Sequence, residues 1–156
     1  MITRTEPGAS STATAVISRG WEPVVAPLLE AAFRRDWFDP ATDFAAIALT
    51  SANGARALAE SVVYRMVPVF TVGDATAEAA RAGGFRHVFS ADGDVAALAD
   101  LIVDVADGDE GRVLHVAGAH VAGDLVGLLA ERGIEAERVI AYSAEACRVW
   151  PRAWPG

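Results

Sequence analysis

Apolar residues along this chain fall in short runs separated by polar turns, and between those runs they recur at helical spacing. Residues 44–50, Phe-Ala-Ala-Ile-Ala-Leu-Thr, read as a buried strand. Residues 52–64 read as a helix, with Ala55, Leu58, Ala59, Val62 and Val63 on its apolar side. The same rhythm predicts strands at 67–72, 85–89, 113–117 and 138–142. It predicts helices at 75–82, ending at Gly83-Gly84, from an Asp94 cap to about residue 105, and at 121–132, stopping at Gly133. Upstream, a strand at 1–5, a helix at 8–19 and a buried strand at 22–28 are expected. The polar stretch 30–43, with Arg34, Arg35, Asp36, Asp39 and Pro40, reads as a connection and the chief boundary. Short strands alternating with helices imply an α/β fold: a mostly parallel sheet covered on both faces.

Such sheets bind ligands beyond the carboxyl ends of their strands. Those positions are Thr50-Ser51-Ala52-Asn53, Gly73-Asp74-Ala75-Thr76, Gly118-Ala119-His120 and Tyr142-Ser143. Small and hydroxyl residues there present backbone N–H groups and hydroxyls to an anionic ligand, aided by helix dipoles. Ser51 and Asn53 equally suit helix capping without any ligand. Asp74 reads as a cap, since its carboxylate repels anions.

Composition narrows the function classes. Apolar residues make up 53% of the chain and charged ones 22%, a globular balance. The net charge of −8 argues against a nucleic-acid surface. No lysine occurs, which removes phosphate-loop and Schiff-base chemistry and the lysine of receiver domains. With the alanine-rich composition this suggests a GC-rich bacterial genome. The apolar runs are far shorter than the roughly 20 residues of a membrane span, and residues 1–6 lack a signal-type apolar segment. A single cysteine, Cys147, forms no internal disulfide, so a cytoplasmic protein is expected. His87, His115 and His120 lack metal-ligand spacing, so no metal is expected. Trp21 and Trp37 read as packing residues.

Several segments, in order, resemble the uroporphyrinogen-III synthase family. Thr3-Arg4 followed by Glu6-Pro7-Gly8 is similar to its opening strand and turn. Gly20-Trp21-Glu22-Pro23-Val24-Val25-Ala26-Pro27-Leu28 is similar to the strand ending the first excursion. Leu49-Thr50-Ser51-Ala52-Asn53-Gly54-Ala55-Arg56-Ala57-Leu58 matches the most recognisable stretch. Val72-Gly73-Asp74-Ala75-Thr76-Ala77 and the segment from Gly123-Asp124-Leu125 through Tyr142 complete the series. Ala117 departs from it, standing where the family often has arginine.

The resemblance implies two α/β lobes with the active site in the cleft between them, the first lobe being discontinuous. Residues 1–29 would begin that lobe, residues 30–141 would form the complete second lobe, and 142–156 a return linker and irregular tail. The rest of the first lobe should follow Tyr142, yet the sequence stops at Gly156. Residues 147–156 have neither strand alternation nor helical period and read like GC-rich DNA out of frame, so a frameshifted or truncated product is expected. The uncovered surface would favour self-association or a partner supplying the missing part.

The family's reaction is a cofactor-free lyase step of haem and cobalamin biosynthesis. Hydroxymethylbilane loses water and closes to uroporphyrinogen III with its last ring inverted. By resemblance Tyr142 is the catalytic residue, a phenol able to protonate or hydrogen-bond the leaving hydroxyl. Arg4, Thr50, Ser51, Ala52, Asn53, Gly73, Thr76 and Gly118 are the expected substrate-binding positions. The competing reading is a catalytically inactive, truncated α/β domain or a tetrapyrrole-binding module.

Overall fold

A computed structural model describes residues 8–22, 29–61, 63, 65–105, 111–121 and 123–146. The expected strand at 1–5, residues 23–28 of the next strand, Arg4 and the tail 147–156 lie outside the described residues. The chain divides into two units, Met1–Ala32 with Ser143–Gly156, and Phe33–Tyr142. In the first, helix α1 (Gly8–Ile17) ends where Trp21 N–H bonds the Val16 carbonyl at 3.2 Å. Trp21 is 73% exposed, so it is not the packing residue its size suggested.

The strands β1 (Leu29–Phe33), β2 (Ala46–Leu49), β3 (Val69–Thr71), β4 (Val88–Ser90), β5 (Val113–Gly118) and β6 (Ala136–Ala146) form one sheet in the order β1-β6-β5-β2-β3-β4. The pairs β2–β3, β2–β5, β3–β4 and β5–β6 are all parallel. Helices α2 (Ala52–Ala59), α3 (Asp74–Ala82), α4 (Val95–Val105) and α5 (Leu125–Glu131) make the crossovers. Strand alternation sorts the core into two layers. Ile47, Leu49, Val69, Leu114 and Val116 pack with Leu58 of α2 and Ala80 of α3. Ala46, Ala48, Phe70 and Val113 pack on the other face with Leu98 and Ile102 of α4 and Leu125 and Leu129 of α5. Each large side chain so buried contributes roughly 1.5–3 kcal/mol. No described helix is long and apolar enough to cross a membrane.

Departures from the expected elements have local causes. β1 covers residues 29–33, all but the first of them inside the stretch 30–43 expected to be a connection. α2 stops at Ala59 rather than near 64: Ser61 Oγ bonds the Leu58 carbonyl at 2.6 Å and the Arg65 guanidinium takes the Ala59 carbonyl at 2.6 Å, so side chains replace the next helical turn. Phe85 does not start a strand, because it closes α3. Its N–H bonds the Ala80 carbonyl while Gly84, at φ +92, bonds that of Arg81. Gly133, at φ +80, ends α5 in the same way, with Ile134 N–H on the Leu129 carbonyl. α5 begins only at Leu125, where Asp124 Oδ1 accepts the Gly127 N–H at 3.0 Å. Strand β6 runs on through Ala146, past the end expected at Tyr142 and into the expected return linker.

Gly54 shows where helix and sheet touch. A Cβ there would lie 2.8 Å from the Val116 carbonyl oxygen. Gly54→Ala should therefore destabilise the chain by about 1–3 kcal/mol through overpacking, outweighing the ~1 kcal/mol that alanine gains in helix propensity. Urea denaturation measures the sign directly.

Candidate functional site

The strand order places a topological switch between β2 and β5. From β2 the chain proceeds to β3 and β4 on one side, then returns to β5 and β6 on the other. Loops leaving the two central strands diverge there and open a crevice at their carboxyl ends. Thr50 and Ser51 follow β2, Gly118 ends β5, and Tyr142 lies beside them on β6.

Ser51 caps α2 by accepting the Gly54 N–H at 3.1 Å, and its hydroxyl lies 2.6 Å from the Tyr142 hydroxyl. A β-bulge brings them together. The β5–β6 register runs Ala117 to Ile140 and then Gly118 to Tyr142, skipping Ala141. Alternation alone would send Ala141 and Tyr142 to opposite faces, yet both pack with Val139 on the α2 side. The ring then lies over Gly118, where a Cβ would come 2.8 Å from it, so only glycine permits this approach. Phe33 packs on Tyr142 with ring centroids 6.2 Å apart, and the Arg56 guanidinium stands 5.3 Å over Phe33.

Thr50 Oγ1 lies 3.1 Å from Nε2 of His115, on the neighbouring strand β5. His115 is only 2% exposed. Burial pushes its pKa from the usual 6.5 down to about 4; the Arg138 charge adds to the lowering and Asp124 opposes it. Its Nδ1 and the Asn53 Oδ1 are both buried without a hydrogen-bond partner among the described residues. Sequence reasoning set His115 aside as structural, because the pairing of β5 with β2 that puts it beside Thr50 is not written in the local pattern.

The other expected positions divide. Ala52 and Asn53 start α2, half-buried, directly after Ser51. Gly73 precedes α3 in extended conformation with open space where a Cβ would stand, so the protein itself does not require glycine there. Thr76 points into the core, 6% exposed, and is not grouped with the Ser51–Tyr142 pair. Among the described residues no cluster of His, Cys, Asp and Glu could hold a metal. A concavity of about 840 Å³, lined by Asp43, Pro68, His87, Arg112 and Glu135 among others, lies at the amino ends of the strands, opposite the switch.

The family model described as uroporphyrinogen-III synthase HemD matches residues 10–151. The chain belongs to the uroporphyrinogen-III synthase family. Solved structures agree in fold. Uroporphyrinogen-III synthetase from Helicobacter pylori superposes with a TM-score of 0.61 at 19% identity, over 83% of this chain and 58% of that one. A mutant uroporphyrinogen III synthase from the extremely thermophilic bacterium Thermus thermophilus gives 0.55 at 17% identity, over 94% of this chain and 64% of that one. This family member thus spans less than two thirds of either relative's length, and at such identities the likeness shows the fold alone. No curated protein matches the sequence.

His115 gives this family member a definite acid response. Unfolded, it titrates near the usual 6.5; folded, near 4. Its contribution is complete above about pH 6.5, falls as pH drops and is gone below about pH 4, about 3 kcal/mol in all. Denaturation of wild type and His115→Gln between pH 7 and 4 should show the wild type losing that much more stability than the variant.

Proposed function

We propose that this chain catalyses the family reaction, closure of hydroxymethylbilane to uroporphyrinogen III, with Tyr142 as the acid that assists departure of the terminal hydroxyl. The observation that carries this reading is the 2.6 Å contact between Ser51 and Tyr142 at the switch of the sheet. Ser51 already accepts the Gly54 N–H. When its own proton goes to the Tyr142 oxygen, the phenol proton is left for the substrate. The result is a donor chain, Gly54 N–H to Ser51 to Tyr142, in which each bond polarises the next. The amino end of α2 also favours negative charge building on the phenol as it gives up its proton.

The chemistry then follows in order. Tyr142 donates toward the departing hydroxyl, which leaves as water, and the bilane becomes an electrophilic azafulvene. The substituted carbon of the last ring attacks to form a spiro intermediate, which reopens and closes again with that ring inverted. Closure releases a hydrogen from the last ring as a proton, which restores the phenol. The remaining task is positioning, worth several kcal/mol of the barrier. Thr50, Ser51, Ala52, Asn53, Gly73, Thr76, Gly118 and Arg4 remain our proposed substrate contacts. Thr50 and the amino end of α2 are the best supported of them, and the buried Thr76 the least.

A coupled assay with freshly generated hydroxymethylbilane, separating type III from type I product, tests the proposal. Tyr142→Phe should lower type III formation by about 10²–10⁴-fold, the range of general acid catalysis, and Ser51→Ala by less. Type I product alone, from folded wild-type chain, would refute catalysis and leave a tetrapyrrole-binding module.

A further inference from the structure

Thr50 precedes Ser51 at the end of β2 and is gripped from within the sheet. His115 stands beside Ala48 in the register, on the same face as Thr50, with Nε2 3.1 Å from the Thr50 hydroxyl and Nδ1 buried without a partner among the described residues. Two arrangements of protons satisfy that distance. In the first, Thr50 donates to Nε2 and the ring proton sits on Nδ1. A buried N–H is then left with no acceptor, at a cost of about 1–3 kcal/mol. In the second, Nε2–H donates to Thr50 and only a lone pair is left bare at Nδ1. Proteins tolerate an unsatisfied acceptor better than an unsatisfied N–H. Asp124 offers Nδ1 no bond and spends Oδ1 on the Gly127 N–H.

We infer that His115 is a positioning residue: it donates from Nε2 to Thr50 Oγ1 and thereby turns the Thr50 hydroxyl proton outward, as an anchor for a carboxylate of the tetrapyrrole. A hydroxyl has one proton to give. With an N–H supplied from inside, that proton has no use within the sheet, and Thr50 is only half-buried. The low pKa of His115 suits the role, since a second ring proton would place an unpaired N–H and a charge in the core. The site thus holds two parallel donor chains, Gly54–Ser51–Tyr142 for the leaving group and His115–Thr50 for the side-chain carboxylates. The inference rests on the proposed function for the identity of the ligand and on the hydrogen-bond geometry for the rest.

Two measurements on the full chain test it. Ring nitrogen NMR at pH 7 should find His115 protonated at Nε2 and bare at Nδ1. Fluorescence titration with uroporphyrin III, an oxidised octacarboxylate product, should show His115→Phe binding about tenfold more weakly, as expected for loss of a charge-assisted hydrogen bond. His115→Gln, which retains a donor, should stay within about threefold of wild type. Thr50→Val should match His115→Phe, and the double variant should lose no more than either. If His115→Phe fails to fold, the Gln and Val variants decide by the same criteria. A ring protonated at Nδ1, or porphyrin binding indifferent to these variants, would overturn the inference. Wild-type chain that forms no type III isomer, yet shows the tautomer and the coupled loss, would end the catalytic reading and leave this one standing. Type III formation lost in Tyr142→Phe, with binding unchanged in His115→Phe, would do the reverse.

Discussion

The parallel pairing of β2 with β5, buried on both faces, is the constraint from which the rest of the molecule follows. Every residue of β2 and β5 is buried, so neither strand has a face left for chemistry. Polar groups can be presented only where the strands end. Because the chain leaves these two strands in opposite lateral directions, their carboxyl ends form an open crevice. Thr50, Ser51 and Gly118 lie there as a consequence of where two apolar runs stop.

Close approach is the second requirement. Gly54 lets α2 settle against the Val116 carbonyl, which brings its capping serine to the edge of the crevice. Gly118 lets the Tyr142 ring lie over the end of β5. Two absent side chains thus bring two hydroxyls to 2.6 Å. On the opposite face the long-range tie is His115, which stands beside Ala48 in the register and whose ring reaches from β5 to Thr50. A buried polar group so tied is held firmly because moving it would strand another.

Family membership and chemistry rest on different grounds here. The match over residues 10–151 establishes the family, and the superpositions at 17% and 19% identity establish the fold. Neither assigns a role to any side chain, since one fold supports many reactions. The proposed roles rest on donors, acceptors and distances around the switch. Those distances lie wholly within the Phe33–Tyr142 unit.

Hydropathy alone determined the alternation of elements, the parallel sheet and the loops where a ligand would bind, because burial on two faces imposes continuous apolar runs and places polar residues at their ends. It also singled out Thr50, Ser51 and Tyr142 as positions, though not as partners. Element boundaries went astray at the end of α2, after Ala59, and at Phe85, where side-chain bonds and a helix-closing motif override local propensity. Only the tertiary structure decided that Tyr142 faces Ser51. A period of two assigns it the face opposite Ala141, and the bulge that reverses this comes from the pairing of β6 with β5, strands separated by a whole helix in the sequence. His115 became legible for the same reason: a lone apolar-strand histidine acquires meaning when the neighbouring strand, 65 residues earlier, brings a hydroxyl within reach.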